Sequence, residues 1–187
     1  MTLRPPPPPS LPTIETPRLV LRGLALADFD EVAAMGADPA VMRFIGGPQT
    51  PEQAWDRYLR AAGCWAMLGH GTFVVRERGT GRFVGEVGHF NRRREIEPSF
   101  EGAPEAGWVL AAWAHGKGYA TEAVRAATGW LEQRLGPVRT VCMIDVGHAA
   151  SIRVAEKCGY RRWTETVYHG ERVILFDRAP GGGAEGA

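Results

Sequence analysis

Apolar and polar residues alternate along Arg18-Leu19-Val20-Leu21-Arg22, which predicts a half-buried strand. The period then lengthens. Asp28 stands before a helical pattern that runs to about Met35, and Asp38-Pro39 opens a second short helical piece before the break at Gly46-Gly47-Pro48. Thr50-Pro51-Glu52-Gln53 supplies an N-cap residue, a proline at the first helical position and an acidic first turn, so it starts a helix that ends near Gly69. Residues 72–76 and 82–88 read as two strands joined by the hairpin residues Gly79-Thr80-Gly81. A polar loop covers 91–102. Residues 105–110 are a strand, 118–135 a helix stopped by Gly136-Pro137, 138–145 a strand and 149–157 a helix closed by Cys158-Gly159. Residues 160–168 and 172–176 complete the chain as strands around His169-Gly170. This order predicts an α+β (mixed α/β) domain with a mixed sheet and helices on its faces.

Composition narrows the function classes. The 187 residues fit one domain, with 44% hydrophobic and 23% charged residues, as in a globular protein. A formal net charge of +1 gives no global pull toward nucleic acid or an anionic membrane. Cys64, Cys142 and Cys158 are odd in number and form no C-x-x-C pair, which argues against a disulfide framework and a structural zinc site. A reduced, cytoplasmic compartment is the expectation, with no signal peptide and no apolar stretch long enough to span a bilayer. Residues 1–13 contain the proline run at 5–9 and are expected to be a disordered tail, and 181–187 a flexible glycine-rich tail. The folded unit is placed at 14–180.

The segment with the most chemical content is His115-Gly116-Lys117-Gly118-Tyr119-Ala120-Thr121-Glu122-Ala123, between a strand and a helix. Two glycines let backbone approach a ligand closely, and the amides of a first helical turn suit a pyrophosphate. Behind it, Ala120, Ala123, Val124, Ala127, Trp130 and Leu131 share one helical face, so the helix can pack on a sheet with its N-terminus in a cleft. Neither the Walker motif nor a completed G-x-G-x-x-G is present.

Trp108-Val109-Leu110 followed by this segment resembles the acetyl-CoA-binding motif of GNAT acetyltransferases, Q/R-x-x-G-x-G/A, which reads here His115-x-x-Gly118-x-Ala120. Three more segments resemble the ribosomal-protein N-acetyltransferase (RimJ/RimL-like) branch. These are Thr16-Pro17-Arg18-Leu19-Val20-Leu21-Arg22, then Thr80-Gly81-Arg82-Phe83-Val84-Gly85-Glu86-Val87-Gly88, and the stretch from His148 through Ser151 and Lys157 to Gly159-Tyr160. Together they span about residues 14–178. The resemblance implies the GNAT fold, with a central, mostly antiparallel sheet splayed between its fourth and fifth strands. Pantetheine would enter the splay near Val109 and Leu110. The diphosphate would rest on the amides of Gly116, Lys117, Gly118, Tyr119, Ala120 and Thr121. His115 stands where the family has glutamine or arginine, and His148 where it has asparagine.

What the resemblance implies chemically is transfer of an acetyl group from acetyl-CoA to a primary amine, a protein N-terminus or a small molecule, by direct attack and without a metal. A non-catalytic acyl-CoA sensor is the competing class. Lysine-type and α-amines are largely protonated at neutral pH, so a base is needed. Glu105, at the start of the splayed strand, is the first candidate and Glu86 its rival. Ser151 is the candidate for holding the thiol sulfur or protonating the thiolate, as an alternative to capping the helix. Tyr160 is a second candidate acid, or a core aromatic. An amide near Val109 or Leu110 would bind the oxyanion. The acceptor's walls are sought among Phe44, Ile45, Gly46, Gly47, Trp55, Tyr58, Trp65 and the loop from Asn91 to Glu101, with Glu95, Glu97 and Glu101 as attractors of a cationic amine. The expected partners are the amine acceptor, with a homodimer left open and with neither nucleic acid nor membrane.

Overall fold

Residues 11–181 are described by the computed structural model; the proline run at 5–9 and residues 182–187 lie outside that range. Within it the order is β1 (Thr13–Glu15), β2 (Leu19–Gly23), α1 (Phe29–Ala37), α2 (Pro39–Met42), α3 (Pro51–Leu68), β3 (Thr72–Glu77) and β4 (Phe83–Phe90). Then come β5 (Glu105–Leu110), α4 (Tyr119–Leu135), β6 (Thr140–Asp145), α5 (Ala149–Lys157), β7 (Arg161–Tyr168) and β8 (Glu171–Arg178). The short β1, which the hydrophobic pattern does not announce, pairs with β2.

Local chemistry sets most of the boundaries. Thr50 and Gln53 form a reciprocal capping box at the start of α3, and Gly69 ends that helix at φ 70°. Asp38 accepts from the Ala40 amide to start α2. His169 and Gly170, at φ 50° and 84°, make the two-residue turn that joins β7 to β8. Asp28 corrects the expectation. It occupies the N-cap position of α1 but makes no side-chain cap. Its buried carboxylate instead takes Arg22 at 2.5 Å and Arg76 at 2.8 Å, tying α1 to β2 and β3. Burial would raise its pKa, yet Arg22, Arg76 and the Ala25 amide outweigh burial and hold it below the usual value.

The eight strands form one sheet in the order β1-β2-β3-β4-β5-β6-β8-β7. Every pair is antiparallel except β5–β6. Side-chain alternation splits the core between two faces. Phe73 and Val75 join Val84, Val124, Ala127, Ile152 and Phe176 under α4 and α5. Val74, between them, points the other way and packs with Val32, Met35, Met42, Tyr58 and Phe83 under α1, α2 and α3. On that second face, Val141, Val173 and Leu175 are covered by Ile96 and Phe100 from the loop between β4 and β5. Helices therefore lie on both faces of a mostly antiparallel sheet, as expected, and the loop extends the α1–α3 layer toward β8.

Candidate active site

The parallel pair β5–β6 is the defect around which the site is built. The two strands share a single register position, Glu105 opposite Val141. From there they diverge, so β5 is laddered to β4 along its whole length but to β6 only at its start. The direction of its amides follows from two bonds. Ala111 N–H donates to Val84 O beside β4, whereas Pro104 O accepts from Val141 N–H on β6. Amide groups of a strand alternate sides. Positions 106, 108 and 110 therefore turn their amides toward the gap, and 105, 107 and 109 toward β4. The expected pair Val109 and Leu110 thus divides: Leu110 presents an amide to the gap, Val109 does not, and Trp108 joins it.

Just beyond β5, the chain turns into α4 through two left-handed glycines, Gly116 at φ 74° and Gly118 at φ 78°. Side-chain-bearing residues adopt this region at a cost of about 1–2 kcal/mol. The first helical bond of α4 runs from Glu122 N–H to Gly118 O, so the amides of Tyr119, Ala120 and Thr121 precede the ladder. A Cβ placed on Gly116 would meet nothing within 4 Å, so the turn is open on that side. The cradle is pinned from behind. Arg18 donates to Lys117 O at 2.9 Å and to Glu122 Oε2 at 2.7 Å, and Tyr119 Oη donates to Glu77 at 2.6 Å. Lys117 and Arg82 flank it, both on the Trp113 ring, at 4.5 and 3.9 Å from its centroid. Amides, a helix N-terminus and flanking cations form a donor set that fits a diphosphate. His115 does not face the cradle through its ring: Nε2 donates to Leu110 O at 2.8 Å and locks the strand-to-loop corner.

At the other wall of the gap, α5 begins at His148. Its imidazole stacks on Phe44 with centroids 4.6 Å apart and a 20° tilt. Burial pushes its pKa below the ordinary histidine value, so the ring is neutral at pH 7. One helical turn on, Ser151 Oγ accepts a hydrogen bond from Trp108 Nε1 at 3.3 Å, directly across the gap. Indole N–H only donates, so this bond leaves the serine proton for another acceptor. Trp108 joins the candidate site residues through this contact, which no local sequence pattern marks. Tyr160 is buried and bonded to Thr140 at 2.9 Å, with its phenol pKa raised by burial, which makes it a core group.

On the α1–α3 face, Glu86 and Glu105 are both buried. Glu86 stands opposite Val109, and Glu105 opposite Phe90 at the far end of β5. Glu105 lies four positions before Val109, roughly 13 Å along the strand. Glu105 gives both oxygens to Arg94, at 2.6 and 2.7 Å. Glu86 pairs with Arg57 from α3, and burial raises its pKa despite that partner. Arg57 also lines an open cleft of about 400 Å³ with Ile45, Gly46, Gly47, Asp56 and Arg60. Of the expected acceptor walls, the structure brings Ile45, Gly46 and Gly47 to this cleft and Phe44 to His148. Tyr58 and Trp65 are core, and Trp55 packs edge-on against Phe29. Glu95, Glu97 and Glu101 are exposed on the outer loop, Glu101 4.0 Å from Arg93. Arg57 and Arg60 are not among the residues expected at the site, although their spacing on one helical face is a usable signal.

Comparison with known proteins agrees with this geometry. The family described as Acetyltransferase (GNAT) domain matches residues 18–161. The uncharacterised protein YkkB of Bacillus subtilis (strain 168) is 30% identical over 173 residues, covering 84% of this chain and 93% of YkkB. A structure described as a GnaT-family acetyltransferase from Bordetella pertussis superimposes with a TM-score of 0.80 at 31% identity, over 90% of this chain and 99% of that one. RimL, a ribosomal L7/L12 alpha-N-protein acetyltransferase solved with coenzyme A, gives a TM-score of 0.75 over 91% of this chain and 99% of its own, but at 14% identity the likeness is one of fold. The splayed β5–β6 pair, the glycine cradle that follows it and a family match over most of the chain lead to one conclusion: this protein belongs to the GNAT acetyltransferases.

Proposed function

We propose that the protein transfers the acetyl group of acetyl-CoA to a primary amine, a small molecule or a protein N-terminus, in a ternary complex. The observation that carries this reading is the one-sided strand β5. Its gap-facing amides run toward a diphosphate cradle at one end and a serine hydroxyl across the gap. In this reading the amides of Gly116, Lys117, Gly118, Tyr119, Ala120 and Thr121 hold the diphosphate, and the free edge near Leu110 holds pantetheine. The amides of Trp108 and Leu110 receive the oxyanion. The amine nitrogen attacks the thioester carbonyl, a C–N bond forms and the C–S bond breaks. The amine's surplus proton leaves through a carboxylate, and the departing thiolate takes the Ser151 proton, which solvent restores. His148, stacked on Phe44, shapes the gap where the family has an amide side chain.

Of the two candidate bases, Glu86 is the better supported. It lies beside Val109, and its raised pKa brings a carboxylate closer to the task of accepting a proton near neutrality. Glu105 has both oxygens committed and sits at the closed end of the gap; we assign it to holding Arg94 and the loop. The sequence motifs favour the RimJ/RimL-like branch within the family, and residues 14–180 are the catalytic unit of this reading.

The test is release of the coenzyme A thiol from acetyl-CoA, followed with a panel of amines. Amine-dependent release is expected. Tight acetyl-CoA binding with no amine-dependent release would replace this reading with that of an acyl-CoA sensor.

A further inference from the structure

We infer that the acceptor is a small primary amine that also carries an anionic oxyacid group, a carboxylate or a phosphate, held by Arg57, Arg60 and Arg92. The inference rests on the acetyl-transfer reading and names its substrate class.

The cleft lined by Arg57, the partner of Glu86, is about 400 Å³ and has the size of a small-molecule site. Arg57 and Arg60 line it from one side, three residues apart on the same face of α3. Outside the cleft lining, the chain leaving β4 brings Arg92 onto the Phe90 ring, 4.5 Å from its centroid, and Arg94 onto Glu105. Phe90 and Glu105 are register partners, so both arginines stand over the same end of the floor. Arg57 and Arg60 share the cleft, and Arg92 and Arg94 share the end of the floor at Phe90 and Glu105. Partial desolvation, and then Arg94, Arg60 and Arg57 as like charges, push Arg92 below its ordinary value against the opposing pull of Glu105.

The acids of the floor do not balance them. Glu86 is spent on Arg57 and Glu105 on Arg94. Among the described residues Arg60 and Arg92 enter no ion pair, and the remaining acid of the cleft, Asp56, is exposed. A polyamine or another multiply cationic acceptor would enter this groove against like charge. An acceptor bearing an oxyacid group would instead gain charge-assisted, fork-shaped hydrogen bonds. The same cations favour the neutral form of the amine, which is the form that attacks.

Four probes with acetyl-CoA test this: butylamine, putrescine, γ-aminobutyrate and aminoethyl phosphate. The anionic pair should exceed the other two in kcat/KM by roughly tenfold or more, as expected for hydrogen bonds to charged groups. The advantage should lie mainly in KM and shrink with added salt. The better of the two anionic amines distinguishes carboxylate from phosphate recognition. Arg60→Met and Arg92→Met, both at exposed positions, should each reduce the anionic advantage severalfold. Putrescine or butylamine turned over as well as the anionic amines would overturn the inference and leave acetyl transfer standing. An anionic advantage untouched by both variants would also overturn it. Failure of every amine to release thiol, with acetyl-CoA binding intact, would overturn the acetyl-transfer reading and this inference with it.

Discussion

The two halves of the proposed site are made of different material. The donor half, from β5 to the start of α4, is backbone: left-handed glycines at 116 and 118, amides that precede the helical ladder, and strand amides with no neighbour on β6. The acceptor half, under α1–α3 and the β4–β5 loop, is side chain: Glu86 on Arg57, Glu105 on Arg94, Phe44 on His148. A backbone site depends on φ angles and on a missing Cβ, and so tolerates change in the side chains around it. His115 in place of glutamine or arginine illustrates this, because its ring braces the corner while the cradle is made by the amides beyond it. A side-chain site depends on pairs brought together from distant elements, and each pair can be rewritten for a new substrate.

The sharpest way to break this contrast is to exchange the two buried carboxylates for amides. Glu86→Gln should lower kcat by about 10²–10⁴-fold, the usual worth of a positioned base. The wild-type rate should rise with pH through a limb above the ordinary glutamate value, since burial raises the Glu86 pKa, and the variant should lose that limb. Arg57 lines the open cleft and can turn toward solvent, so the variant should fold. Glu105→Gln should do the opposite. Breaking a buried pair leaves Arg94 short of its partner, at a cost of about 3–5 kcal/mol, while the rate per folded molecule holds. Thermal melting and pH–rate profiles on both variants decide. A Glu105→Gln enzyme that is stable but slow would return the base to Glu105.

The donor half is tested by Gly118→Asp. A side chain there is strained at φ 78°, and its charge would oppose the diphosphate. Acetyl-CoA affinity by calorimetry should fall well over tenfold. Gly118→Ala, which carries the strain without the charge, should fall less. Equal affinities in all three proteins would move the diphosphate away from this turn.

The same division explains what the sequence could disclose. Strand and helix positions were legible because periodicity and punctuation are local, as at Thr50-Pro51 and Gly69. The left-handed turn at Gly116 and Gly118 was legible because glycine identity reports backbone conformation directly. Asp28 misled because a residue with the right chemistry at an N-cap position had two arginines within reach, and charge won over capping. The splay itself was supplied by resemblance, since no residue in 138–145 announces that β6 will diverge from β5. Trp108 stood in the segment that resembles the acetyl-CoA-binding motif, but without a side-chain role of its own. Its partner Ser151 lies 43 residues away, and nothing local links them. The spare charge of Arg60 and Arg92 was equally hidden, because it depends on which acids the other arginines have already taken.

The smallest expected effect comes from the bond across the gap between β5 and α5, Trp108 Nε1–H to Ser151 Oγ. A coenzyme A thiol resembles an ordinary thiol, with a pKa of about 8–9, so its thiolate leaves tolerably well without help. Ser151→Ala should therefore lower kcat by roughly tenfold, below the usual range for acid–base assistance, with acetyl-CoA affinity nearly intact. Trp108→Phe keeps most of the ring and removes the donor. It should lower kcat by only about two- to fivefold, in line with a net hydrogen bond of roughly 0.5–1 kcal/mol. The informative measurement is the double variant. If Trp108 acts by directing the Ser151 proton, its replacement costs nothing further once Ser151 is alanine, and the two effects are strongly non-additive. Additive losses would mean that Trp108 merely packs against the gap. A Ser151→Ala protein that instead loses ~1 kcal/mol of stability at full rate would identify the hydroxyl as a helix cap. Single-turnover rates and melting curves on the same preparations separate these outcomes, and only the non-additive one keeps the serine proton on the path of the leaving thiolate.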